Sequence, residues 1–260
     1  MNRVFNFAKR NIKEVLRDPL MYVFCLVFPI VMLVLFQVIG RYTNGSTPMF
    51  ELRSLLPGII MFSYTFVMLN IALLVSKDRQ TSFLARLYSS PMKAHHFVLG
   101  YAVVGFIVGL AQTIVCIISG LIIASICNIG FISFGQALLL IVSQLPMLII
   151  SIFLGIIFGT LFNDRTAPGI CSIFISIAGI LGGCWMSLET MGEFATFCRF
   201  LPFYPSVYIG RVVTNATKLL GVKYSFDTTA ILGIVPITVV MIVSTACAFL
   251  AIKKDMSRDR

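Results

Sequence analysis

Charge is missing from most of this sequence. None occurs from Leu55 to Val75 and none from Phe97 to Asn163, and about 20 apolar residues suffice for a helix to cross a hydrocarbon core of about 30 Å. The two-residue alternation of a membrane β-barrel is absent as well, which leaves helices to satisfy the backbone in lipid. No G-x-x-x-x-G-K-[ST] phosphate loop occurs, so nucleotide binding of that kind is excluded. No acid, Lys or Arg stands in the middle of an apolar run, which argues against the ion or proton relay of a self-energised transporter or channel. The cysteines, Cys25, Cys116, Cys127, Cys171, Cys184, Cys198 and Cys247, show neither a disulfide framework nor metal spacing. They read as small apolar packing residues, with Cys184 and Cys198 on the expected outer side, where oxidation would matter. Adjacent His95 and His96 point to different sides of a helix, so they read as a solvated pair at the membrane edge and not as metal ligands. Glu189 and Glu193 share a helix face without a neighbouring base or ligand, and no catalytic constellation stands out.

What is present is apolar side chain: 58% of the 260 residues are hydrophobic, against roughly 45–50% in a soluble domain. The expected fold is an all-α integral membrane protein, a single transmembrane domain over residues 1–260 with six spans. They fall at about residues 20–39, 55–75, 97–126, 134–162, 168–188 and 230–252. The net charge of +10 sits at helix ends and in loops, which disfavours nucleic acid as a partner. Of the 20 Lys and Arg residues, most fall in the N-terminal segment, the Lys77 to Lys93 loop, Arg165 and the tail. The positive-inside rule then puts both termini in the cytoplasm.

Residues 1–18 form an amphipathic helix at the cytoplasmic interface. Val4, Ala8, Ile12, Val15 and Leu16 lie on one face, and Arg10, Lys13 and Arg17 are among the basic residues facing anionic head groups. Charged as far as Asp18 and lacking a short apolar core, the segment is no cleavable signal, so the first span is retained. Asp18-Pro19 stops the helix, and Pro29 kinks the first span. Gly105 with Gly109 and Gly155 with Gly159 are small-xxx-small pairs that allow close helix approach. Gln37, Asn70, Gln112 and Gln144 are the polar side chains inside spans; each either lines a substrate path or bonds between helices. Residues 189–210 are apolar pieces too short to cross and broken by Pro202 and Pro205, a re-entrant or interfacial segment or else an outer loop with an aromatic belt. Residues 211–227 read as a soluble exterior stretch.

The loop at residues 76–97 is the charged island of the middle of the chain. Phe83, Leu84, Leu87 and Tyr88 recur at helical spacing among Lys77, Asp78, Arg79, Arg86 and Lys93, and Pro91 ends the short helix. Such a stripe either docks in a groove of a cytosolic partner or lies flat on the bilayer.

In order and spacing, four places resemble the permeases of the type-two ATP-binding-cassette (ABC) exporter family. They are Arg17-Asp18-Pro19 with Phe28-Pro29; Lys77-Asp78-Arg79-Gln80-Thr81 through Leu84, Leu87, Pro91 and Leu99-Gly100; Pro168; and Leu201-Pro202 with Pro205 and Arg211. The resemblance covers nearly the whole chain. It implies that the N-terminal helix is a connecting helix, that Asp78, Arg79, Thr81, Phe83, Leu84, Leu87, Tyr88 and Pro91 belong to a coupling helix seated in an ATPase subunit, and that short re-entrant outer helices follow the fifth span. It further implies two cytosolic ATPase subunits, which bring ATP and Mg while this chain holds no cofactor, and a second permease copy or paralogue. The protein would be a non-catalytic subunit in a bacterial plasma membrane, exporting a drug-like, antibiotic or lipid-like compound. Asp18-Pro19 favours that drug-type branch over the polysaccharide or teichoic-acid branch. Where the family usually has a Glu-rich start and a Gly before the loop threonine, this chain has Asp78 and Gln80, and the Glu-Ala-Ala-xxx-Gly loop of importer permeases is absent.

Overall fold

The computed structural model describes residues 2–42, 48–81, 93–218 and 221–258. Among them the only strand-like pairing is an isolated bridge between Thr217 and Lys223, and the rest of the regular structure is helical. An amphipathic helix α1 (Asn2–Val15) leads into α2 (Pro19–Tyr22), a π-helical turn (Val23–Val27) and α3 (Phe28–Tyr42). Then come α4 (Leu52–Gln80), α5 (Ala94–Cys127), α6 (Phe134–Leu161) and α7 (Ala167–Leu181). Two short helices, α8 (Glu193–Arg199) and α9 (Phe203–Val213), precede the last helix, α10 (Thr228–Arg258).

The bundle is organised around α4. Of its apolar window 89% is buried, against 17% for α10. Lipid tails are as apolar as leucine, so close packing and hydrogen bonds must hold such helices together. Gly155 and Gly159 of α6 supply the packing: a Cβ on either would stand 2.6 Å from a carbonyl oxygen of α4, Met68 or Ala72. These small residues bring two backbones into contact inside one chain. Gly105 and Gly109 likewise face Ile152 and Leu148 of α6.

Local chemistry explains the ends and the irregularities. Ser133 and Gln136 form a reciprocal capping box that starts α6. Asn128, at φ +53°, closes α5 in the left-handed region. Pro29 has no N–H and crowds the carbonyl four residues back. The chain answers with the π turn, in which the Phe28 N–H reaches Val23 O. The expected kink of the first span is thus a widened turn on the N-terminal side of the proline.

Among the described residues, five helices are long and apolar enough to cross a membrane. The fifth expected span is shorter than its sequence range suggested: α7 has 15 residues, about 22 Å of helix. It ends at Gly182 and Gly183, the latter at φ +58°, and the chain turns before residue 188. A backbone with two adjacent glycines loses most by staying helical. Residues 211–227 also differ from the expected exterior stretch, because Arg211 is an interior residue of α9 and is 1% exposed. Cys184 and Cys198 are wholly buried, so the thiols expected to meet oxidant have no contact with solvent.

Candidate functional site

The site lies at the end of the bundle where α4 finishes with Lys77, Asp78 and Arg79, just before residue 82. Phe83, Leu84, Leu87, Tyr88 and Pro91, expected to form the coupling stripe, lie outside the described residues. What is described is the base to which that stripe is attached. Thr81, at the C-terminal cap of α4, donates its hydroxyl to Lys77 O at 3.0 Å.

Asp78 turns inward and is 1% exposed. Arg10 of α1 donates Nη1 to Oδ1 at 2.7 Å and to Oδ2 at 2.8 Å, and Tyr101 of α5 donates its hydroxyl to Oδ2 at 2.7 Å. The other arm of Arg10 meets Glu14 at 2.7 Å, and Glu14 meets Lys77 at 3.1 Å. A buried carboxylate is tolerable only when its lone pairs are filled in this way. The cluster therefore welds three elements, α1, α4 and α5, at one level.

Arg79 makes the second tie. Nε and Nη2 form a bidentate pair with Asp255 of α10 at 3.1 and 2.9 Å, the geometry that suits a guanidinium best. Nη1 donates to the carbonyls of Thr160 and Gly159 at the C-terminal end of α6, where free carbonyls and the helix dipole favour a cation. Adjacent residues on α4 thus hold different neighbours, Asp78 holding α1 and α5 and Arg79 holding α6 and α10. Both Asp78 and Arg79, expected as contacts to a partner, are spent on contacts within the chain.

The N-terminal helix also departs from its expected orientation. Its buried side is Phe7, Ala8, Asn11 and Val15, with the Phe7 ring set edge-on to Phe97 and Tyr101 at 5.5 and 5.0 Å. Phe7 lies over Gly100, where a Cβ would stand 2.3 Å from the ring. Of the expected apolar stripe, Ala8 and Val15 face the protein, while Leu16, like Phe5, is exposed. Arg10 points to Asp78 and not to head groups; Lys13 and Arg17 stay on the exposed face. The helix uses one face for α5 and another for the bilayer, and a single amphipathic count cannot separate the two.

The polar residues inside the spans divide. Gln144 of α6 donates to Ser206 O and accepts from Ser206 Oγ, both at 2.9 Å, and so pins α9. Gln112 of α5 donates to Ser63 O at 3.1 Å. Both are interhelical cross-links. Asn70 donates to Cys25 Sγ at 2.9 Å and Phe66 O at 3.0 Å and borders a cleft of about 1270 Å³ between α1, the first span, α4 and α7. Gln37 is buried, its Oε1 without a partner among the described residues. On the far side, Arg211 donates to Ser54 O at 3.2 Å and Gly183 O at 2.7 Å, joining α9 to the start of α4 and the break after α7.

Sequence reasoning missed Tyr101, Asp255 and the Arg10 to Asp78 pairing. A signal existed for each. Tyr101 is a hydroxyl one turn inside an uncharged span, and Asp255 is an acid inside a basic tail. His96, read as solvated, accepts from the Lys93 N–H at 3.0 Å and caps α5.

None of the curated proteins compared with this chain matches it. The family profile described as ABC-2 type transporter matches residues 3–214. That stretch runs from α1 through α9 and takes in Arg10, Asp78, Arg79 and Tyr101. A helical membrane bundle with its charges gathered at the base of one loop is the permease component of such a transporter, which works with an ABC ATPase and is generally not itself catalytic; the chain belongs to the ABC-2 type transporter family.

Proposed function

We propose that this chain is the membrane-spanning subunit of an ATP-driven exporter that moves a drug-like, antibiotic or lipid-like amphipathic compound out of a bacterial cytoplasm. It works in the plasma membrane with both termini inside, beside a second permease copy or paralogue. Two cytosolic ATPase subunits bind ATP and Mg. The coupling role falls to the Asp78 to Pro91 region, whose apolar residues Phe83, Leu84, Leu87 and Tyr88 seat in the ATPase. Residues 189–210 are the re-entrant outer segment, a reading supported by two short helices of which α9 is buried against α4 and α6.

The observation that carries the coupling role is the double tie at the root of that loop. A push delivered through Thr81 reaches Asp78 and Arg79 within one helical turn. Asp78 passes it to α1 and α5, and Arg79 passes it to α6 and α10. Buried, hydrogen-bonded ion pairs transmit displacement because leaving either charge unpaired is costly. The test is to replace Leu84 and Leu87 by charged residues and measure ATPase association and export. Both should fall; unchanged association would end the coupling role.

A further inference from the structure

The cleft bordered by Asn70 has two chemistries, arranged by depth. Its floor is Phe24 of the π turn with Leu69, Leu73 and Leu74 of α4, and its rim is formed by α1 and the turn at Asp164. Five cations and three carboxylates line it. Arg10 and Lys77 are engaged with Glu14 and Asp78. Lys9, Lys13 and Arg17 form no ion pair with a carboxylate among the described residues. From Leu69 to Lys77 along α4 is about 12 Å of helix, so apolar walls reach well below the level of the cations. At about 1270 Å³, the cleft exceeds the roughly 300–1,000 Å³ that houses a drug-sized ligand.

We infer that this cleft is a discrete site for one anionic membrane lipid of the cytoplasmic leaflet, its acidic head group held at Lys9, Lys13 and Arg17 and an acyl chain laid along Phe24, Leu69 and Leu73. The depth order selects the class. A small anion in water has no use for a leucine wall, and a neutral lipid has none for the cations. The exposed Phe5 and Leu16 flank the cations on α1, which sets the rim at the level where head groups lie. A general attraction between a basic helix and an acidic surface would hold many lipids weakly and without saturation. A cleft holds one.

The inference rests on the membrane placement and not on coupling to an ATPase, so its test omits both ATP and the ATPase. The full chain in a nonionic detergent is titrated with acyl-labelled phosphatidylglycerol and, separately, with matched phosphatidylcholine. Phosphatidylglycerol should bind saturably at one per chain and more tightly than phosphatidylcholine. A basic residue near an anionic head group contributes about fivefold, so K13Q/R17Q should weaken phosphatidylglycerol binding about 25-fold and leave phosphatidylcholine unchanged. K13R/R17K keeps the charge and should restore binding. Leu73→Trp, which fills the floor, should weaken both lipids, whereas Lys223→Gln on the opposite side should change neither. Equal binding of the two lipids, non-saturable uptake, an unaffected K13Q/R17Q protein or displacement of the lipid by inorganic phosphate would each overturn the site. Such a failure leaves the association assay at Leu84 and Leu87 untouched, and failure of that assay leaves this site standing.

Discussion

Removing the Asp78 carboxylate should cost more stability than any other single side-chain change at the loop base. Asp78→Ala deletes the acceptor of two bonds from Arg10 at 2.7 and 2.8 Å and one from Tyr101 at 2.7 Å. Breaking a buried ion pair from one side costs about 3–5 kcal/mol. Arg10 keeps Glu14 at 2.7 Å and has a side chain 37% exposed, so water recovers part of its loss and the lower figure of about 3 kcal/mol applies. Asp78→Asn retains one carbonyl acceptor and should cost about half as much, and Tyr101→Phe about 1 kcal/mol. The pair D78A/Y101F should fall short of additivity by about 1 kcal/mol, because the hydroxyl orphaned by the first change is removed by the second. Denaturant unfolding of the full chain in mild detergent measures each value. Against a typical stability of about 5–15 kcal/mol, a loss of 3 is plain. A cost for Asp78→Ala below about 1 kcal/mol, or strict additivity with Tyr101→Phe, would refute the buried cluster as drawn.

Gly159→Ala should destabilise the bundle by about 1–3 kcal/mol through overpacking, since its Cβ would stand 2.6 Å from Ala72 O. Gly135→Ala, with nothing within 4 Å, should be neutral in the same thermal assay. Arg79→Asp and Asp255→Arg should each destabilise, and the combined charge swap should recover part of the loss by restoring the pair. Recovery stays incomplete because aspartate at 79 cannot donate to Thr160 O; a swap as harmful as the sum of its parts would count against the tie. At the start of α10, the Asp227 carboxyl is held below its ordinary range, first by the Ser225 hydroxyl and then by Tyr208 and Lys218. Its contribution is therefore complete above the unfolded value near about 3.9 and disappears as pH falls through the lower folded value. Hydrogen exchange around the bridge of Thr217 and Lys223 should stay slow at pH 5 and quicken only below about pH 4.

The chain's bilayer-crossing order was legible because hydrocarbon imposes a length on each apolar run. The interior of α4, α5 and α6 carries no charge, and these helices coincide with the expected spans to within a few residues. Reading failed where two environments meet on one element. On α1, lipid and α5 both call for apolar residues, so Phe7 and Leu16 look alike in sequence yet face opposite ways. At α7, a run of spanning length concealed a stop at Gly182 and Gly183, because hydropathy does not register backbone entropy. Gln112 and Gln144 offered the same side chain for a path or a cross-link, and the nearby Ser63 and Ser206 decided for the cross-link.

By itself the sequence determined the membrane class, the order of the helices, the position of the charged loop and the family to which these residues conform. Each depends on the kind of residue along the chain and on its spacing. Tertiary structure alone decided which charges are partners. Arg10 and Asp78 are 68 positions apart, and Arg79 and Asp255 are 176 apart. No local pattern encodes such pairings; they follow from three-dimensional packing around α4, where a buried charge must find whichever counter-charge the neighbouring helices bring to its level.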